Sequence, residues 1–139
     1  MKTAFIAGIW LARFNSQDEL ENYVDRVYPD DGDDPYCRFA SDAGLGYFDH
    51  DFLEVAYAET SAELLKNMDK LSFAANYKDQ LLARLDKINY DNKNSIILLS
   101  GRKDNESGPG GVNDKLFDLV PVINDKDHLQ FVGLFRFDL

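Results

Sequence analysis

The positions with most capacity for chemistry cluster in Tyr47-Phe48-Asp49-His50-Asp51-Phe52-Leu53-Glu54. Read as an extended segment, Asp49 and Asp51 point to one side and His50 to the other, because strand side chains alternate. Two carboxylates on one side supply hard oxygen ligands for a divalent cation. With Glu54 or Asp42 added, the set extends to a metal-assisted hydrolase. The alternative is a polar turn, in which the carboxylates accept from backbone amides and His50 makes one structural hydrogen bond. Zinc is poorly supplied, since His50, His128 and Cys37 are widely spaced and no His-Glu-x-x-His occurs.

Nucleophilic catalysis is weaker still. Neither histidine lies in a nucleophile signature, and Gly-x-Ser-x-Gly is absent. Cys37 can pair with His50, but surrounding acid raises a thiol's pKa, so a buried, inert cysteine is expected. Gly108-Pro109-Gly110-Gly111 shares only its glycine content with a phosphate loop. The following Lys-Ser/Thr is missing and Pro109 lacks an amide donor, which leaves a flexible loop. Each of these signals therefore has a structural reading beside the chemical one, and no cofactor and no metal are expected.

Charge points elsewhere. Fourteen of the 25 acidic residues lie between Gln17 and Glu63, answered there only by Arg26 and Arg38. Against a formal charge of −10, the rest of the chain is slightly positive. A one-signed field steers basic partners and repels nucleic acid and anionic membrane. Aromatics interleave the acids, and such rings supply contact area at an interface while carboxylates meet Arg and Lys across it. The residues assigned to partner binding are Glu21, Asp25, Tyr28, Asp30, Asp31, Asp33, Asp34, Tyr36, Tyr47, Asp49, Asp51 and Glu54.

The elements that must position them follow from pattern. Thr3 to Leu11 is apolar on both strand faces. Ser16-Gln17-Asp18-Glu19 reads as a capping box, with Glu19 reaching back to the Ser16 amide. The helix it opens carries Leu20, Tyr23, Val24, Val27 and Tyr28 on one stripe and ends at Pro29. After the charged loop 30–35, a short helix from Tyr36 to Ala43 closes on Gly44 in a left-handed cap. Leu53 to Tyr57 alternates as a half-buried strand. Thr60 or Ser61 caps a helix through Lys70, and a second helix from about Phe73 to Ile88 turns Tyr77, Leu81, Leu82 and Leu85 inward. Ser95 to Ser100 is a central strand, and 104–113 is an exposed loop. Leu116 to Ile123 and Leu129 to Phe137 form a C-terminal antiparallel hairpin about Asn124-Asp125-Lys126-Asp127. In its last strand Leu129, Phe131, Gly133, Phe135 and Phe137 share one face. The fold class is α+β, a single-domain sheet with helices packed on it.

At 139 residues and 45 % hydrophobic, the chain can bury one real core. A lone cysteine suits a reducing compartment, and no run approaches a membrane span. The apolar run Ala4 to Ala12 lacks a small-x-small cleavage site and reads as strand rather than signal. A soluble cytoplasmic protein is expected.

Trp10-x-x-x-Phe14-x-Ser16-x-x-Glu19-Leu20-x-x-Tyr23 is followed by Phe39-Ala40-x-Asp42-x-Gly44 and Tyr47-x-Asp49-x-Asp51-Phe52-Leu53-Glu54. In order and spacing these resemble the immunity protein 22 family of bacterial polymorphic toxin systems. The Leu129 to Phe137 segment, with Gly133 between aromatics, is similar to that family's last strand. The resemblance implies a small, non-enzymatic α+β protein that binds and neutralises a cognate toxin domain encoded beside it. Many antibacterial toxins are nucleases with basic clefts, which fits the charge reading. A small metal-dependent hydrolase using Asp49 and Asp51, or an acidic protein-binding adaptor, are the alternatives.

Overall fold

The computed structural model describes residues 3–28, 30, 36–46, 48–104, 111–119 and 129–138. Among the described residues are ten strands and helices, namely β1 (Thr3–Ala12), α1 (Gln17–Val24), β2 (Arg26–Val27), β3 (Tyr36–Cys37), α2 (Arg38–Ala43), β4 (Leu53–Tyr57), α3 (Ser61–Met68), α4 (Ala74–Leu85), β5 (Ser95–Asp104) and β6 (Leu129–Phe137). Two 3-10 turns, His50–Phe52 and Asp114–Asp118, complete them. The main sheet runs β4-β5-β1-β6 with every pair antiparallel, and β2 and β3 form a separate two-stranded ribbon.

β1 is apolar on both faces because both are covered. Ile6, Trp10 and Ala12 pack with Ile97 and Leu99 of β5 against α1 and α2. Ala7, Ile9 and Leu11 pack with Ile96 and Leu98 against α3 and α4. The sheet is thus the middle of three layers in an α+β fold. Each isoleucine or leucine so buried contributes roughly 1.5–3 kcal/mol from the area removed from water. Gly8 is needed where it stands. A Cβ there would lie 2.9 Å from the Trp10 ring, which folds back over that backbone.

The helix starts obey local chemistry. Ser16 Oγ accepts from the Glu19 amide at 3.2 Å and Thr60 Oγ1 from the Glu63 amide at 3.2 Å. Glu19 reaches back to the Asn15 amide at 3.4 Å rather than to that of Ser16, which corrects half of the expected capping box. Gly44 supplies the left-handed cap of α2 at φ 74°.

Several boundaries differ from expectation. α1 stops at Val24, and Arg26 and Val27 leave it to pair with Cys37 and Tyr36, so Val27 and Tyr28 are exposed instead of joining the core stripe. Tyr36 and Cys37 are consequently strand rather than the first turn of a helix. Leu82 is 41 % exposed, one position outside the buried stripe Tyr77, Leu81 and Leu85. The strand expected from Leu116 begins as a 3-10 turn, while residues 120–128, including the Asn124–Asp127 turn, lie outside the described residues.

In β6 the pairing with β1 jumps from Ile9↔Gly133 to Trp10↔Phe131, leaving Val132 as an extra residue. This bulge reverses the alternation. Leu129 and Phe131 face the first layer, whereas Val132, Phe135 and Phe137 face the second, so the five residues expected on one face are split. One flank of α4 reads the same strand. Asn76 Nδ2, Gln80 Nε2 and Arg84 Nε donate to the carbonyls of Asp138, Arg136 and Val132 at 3.4, 3.1 and 2.9 Å. Spacing of four residues keeps these donors in one row along the helix.

Candidate functional site

α1 and α2 are tied by a bond from the Tyr23 hydroxyl to Asp42 Oδ2 at 2.7 Å. Below them Cys37 Sγ donates to the Val24 carbonyl at 3.3 Å. Burial pushes the Cys37 thiol up, as it does the phenols of Tyr23 and Tyr77, and for Tyr23 the bond to Asp42 adds to it. The cysteine is buried, protonated and unsuited to nucleophilic work.

These shifts carry a sign. Each raised group keeps its proton in the folded chain and releases it more readily when unfolded. Its contribution to stability is complete below the unfolded pKa, about 8.5 for a thiol and 10 for a phenol, and is lost as pH rises beyond it. The urea midpoint is therefore expected to hold to about pH 8 and fall steadily between about pH 9 and 12. An unchanged midpoint over that window contradicts the burial of these groups.

The Asp49-His50-Asp51 segment is a 3-10 turn rather than an extended stretch. Asp49 Oδ1 accepts the Asp51 amide at 3.0 Å, which closes the turn and spends the carboxylate on backbone. Arg26 Nε donates to His50 Nδ1 at 2.9 Å; an arginine nitrogen can only donate, so the ring proton sits on Nε2, 3.1 Å from the Val24 carbonyl. Phe48 stacks on the imidazole at 4.3 Å between centroids. His50 thus makes two structural hydrogen bonds, one more than expected, and both its nitrogens are engaged. Among the described residues no group of three or more His, Cys, Asp or Glu side chains converges on a point that could hold a metal.

What His50 holds is the β2–β3 ribbon. On it Val27 pairs with Tyr36, and Tyr28 follows; these three are 36 %, 53 % and 69 % exposed respectively for Val27, Tyr36 and Tyr28. Two of the residues assigned to partner binding, Tyr28 and Tyr36, therefore stand together in solvent. Glu21, Asp25, Asp30 and Asp51 are exposed as well. Glu21 accepts from Gln17 Nε2 at 3.2 Å and Asp25 from the Arg26 amide at 2.9 Å. Asp31, Asp33, Asp34 and Tyr47 lie outside the described residues.

Glu54 is not brought to this side. Leu53, Val55 and Tyr57 face the layer of α1 and α2, whereas Ala56 packs in the opposite layer. Glu54, two residues before Ala56, shares its face, and its Oε1 accepts the Ser72 amide at 3.2 Å in the turn between α3 and α4.

One residue of consequence escaped the sequence. Asn113, in the left-handed region at φ 48°, accepts the Asp49 amide through Oδ1 at 2.7 Å. Its Nδ2 donates to the carbonyls of Asp49 at 3.2 Å and Ser100 at 3.0 Å. It joins the end of β5 to the Asp49 turn. The available signal was an Asn two residues after the Gly-rich stretch, since Asn tolerates that backbone region better than most residues.

Fold and surface together define a small α+β protein with an exposed aromatic ribbon inside an acid-rich segment. The chain belongs to the immunity protein 22 family, whose model matches residues 7–138 and so nearly its whole length. Membership gives it a role in immunity to a toxin and implies a toxin as its partner. No curated protein and no solved structure matches it. No helix among the described residues is long and apolar enough to cross a membrane.

Proposed function

We propose that this protein neutralises a secreted toxin domain by stoichiometric binding, without catalysis, in the cytoplasm of the cell that makes the toxin. The toxin surface it meets is basic, as in a nuclease cleft, and the contact is made by an acidic, aromatic-studded face. The observation that carries this reading is the exposure of Val27, Tyr28 and Tyr36 on a ribbon inside the segment that holds fourteen acids and two arginines. Exposed aromatics ringed by one sign of charge suit an anchor within a steering field. The same field disfavours nucleic acid and anionic membrane as partners.

The test is association kinetics against the toxin domain encoded beside this chain, over a range of salt. Changing Asp30, Asp31, Asp33 and Asp34 together to Asn should slow association and flatten its salt dependence, with little change in dissociation or folding. Tyr28→Ala and Tyr36→Ala should instead raise the off-rate, by about tenfold or more if either ring is an anchor. A four-Asn variant with the wild-type on-rate and salt slope would remove the acidic loop from the contact. Tight binding to an unrelated basic protein, with none to the neighbouring toxin, would favour an adaptor.

A further inference from the structure

We infer that the cleft between Leu45, Gly46, Phe48 and Asp49 on one side and the Gly111–Leu116 segment on the other is an anchor site for one arginine side chain of the toxin. The inference rests on the toxin-binding reading above and names a contact within it.

The cleft has a volume of about 280 Å³, and its floor is apolar, formed by Leu45, Phe48, Leu99 and Leu116. Sites for drug-sized molecules run from roughly 300 to 1,000 Å³, so this one lies at their small end and has room for a single long side chain. Its lining also carries the carboxylates of Asp49 and Asp114 against one ammonium, that of Lys115. An aromatic anchor would cover the floor but bring no charge to meet Asp114 or the Asp49 oxygen that the Asp51 amide does not take, and desolvating them so is costly. A side chain with an apolar stem and a cationic head satisfies both parts. Arginine fits better than lysine, because its guanidinium is planar, weakly hydrated and able to bond two oxygens of a carboxylate at once.

The walls are preformed. Asn113 fixes one of them through its bonds to Asp49 and Ser100. Gly111 permits the close approach of Asp114, whose carboxylate would lie 2.9 Å from a Cβ at that glycine. A chain of contacts also links the cleft to the aromatic ribbon. Phe48 lies in its floor and stacks on His50, and His50 holds Arg26 and Val24 at the ribbon's base. Ordering of this kind lowers what a partner must spend in freezing the site, and well-packed central pockets are where arginine anchors concentrate.

Gly46→Leu tests the cleft directly. Gly46 is not among the residues at positive φ, and the nearest atom to a Cβ there is Lys115 Nζ at 3.8 Å, so a larger side chain can occupy the mouth without strain. Binding of the toxin domain to Gly46→Leu should weaken by about tenfold or more, mainly through faster dissociation, at an unchanged melting temperature. Asp114→Asn should weaken it by about three- to tenfold. When combined with single Arg→Ala and Lys→Ala variants of the toxin, the Asp114→Asn effect should vanish for one arginine and for no lysine. If the wild-type protein binds and both variants bind within about twofold of it, the anchor assignment is wrong while the immunity reading stands. Coupling to a lysine overturns the choice of arginine. No binding of the wild-type protein to the toxin removes the immunity reading and this inference with it.

Discussion

Trp10→Ala is expected to cost about 3–5 kcal/mol, the usual range for deleting a large buried aromatic. Trp10 is 2 % exposed, meets Phe39 edge-on at 5.0 Å and Phe131 at 5.5 Å, and lies over the Gly8 backbone. No neighbour can collapse into the space, because Phe39 is itself held in the layer of α1 and α2 and Phe131 is held by pairing with β1. For a chain of this size the melting temperature should fall by about 10–20 °C. A loss of that order is a large part of the roughly 5–15 kcal/mol that holds a domain together. The wild-type protein should show blue-shifted emission and slow acrylamide quenching, since this is the only tryptophan. A fully solvated spectrum, or a variant melting within a few degrees of wild type, is inconsistent with the core described.

The second large effect is expected at Asn113. Replacement by Ala removes three hydrogen bonds to Asp49 and Ser100 and leaves a Cβ-bearing residue at φ 48° without the local bonding that stabilises Asn there. Lost bonds and strain together should cost about 2–4 kcal/mol. Asn113→Gly loses the same bonds but not the backbone compatibility, so it should fall between wild type and Ala. Faster hydrogen exchange at the Asp49 amide should accompany both changes. Equal stability of the Ala and Gly variants would show that the left-handed backbone stores no strain. The same neighbourhood explains Gly101, where a Cβ would sit 2.6 Å from the Asn113 carbonyl oxygen.

These residues show where sequence is legible. Both faces of β1 could be read because alternate positions are apolar on each side, and no alternative register changes that. The start of α1 was equally clear, since Ser16 and Glu19 act within one turn. Its end was not. Val27 and Tyr28 keep the helical spacing, but nonlocal pairing of Arg26 and Val27 with Cys37 and Tyr36 competes for the backbone and wins. β6 was found while its faces were misassigned beyond the bulge, because one extra residue is invisible to a period of two.

The candidate site divides along the same line. Acid count along the chain groups Glu54 with Asp49 and Asp51, but the pleat of β4 turns it to the other side of the sheet. Tyr28 and Tyr36 are eight positions apart in the chain and are brought to one ribbon by a two-residue ladder too short to leave a pattern. The metal reading of Asp49-His50-Asp51 depended on an extended backbone, and the Asp49 side chain itself bends that backbone into a turn.

The order of strands in the sheet bears on how the protein comes off the ribosome. β1 is made first, yet both its neighbours, β5 and β6, come from the later part of the chain. At translation speeds of roughly 5–20 residues per second, an apolar strand waits on the order of 10 s for the last partner that covers it. Until then its Ile6, Ile9, Trp10 and Leu11 side chains are accessible to chaperones and to other nascent chains. The sheet therefore closes in one late step, when β6 pairs with β1.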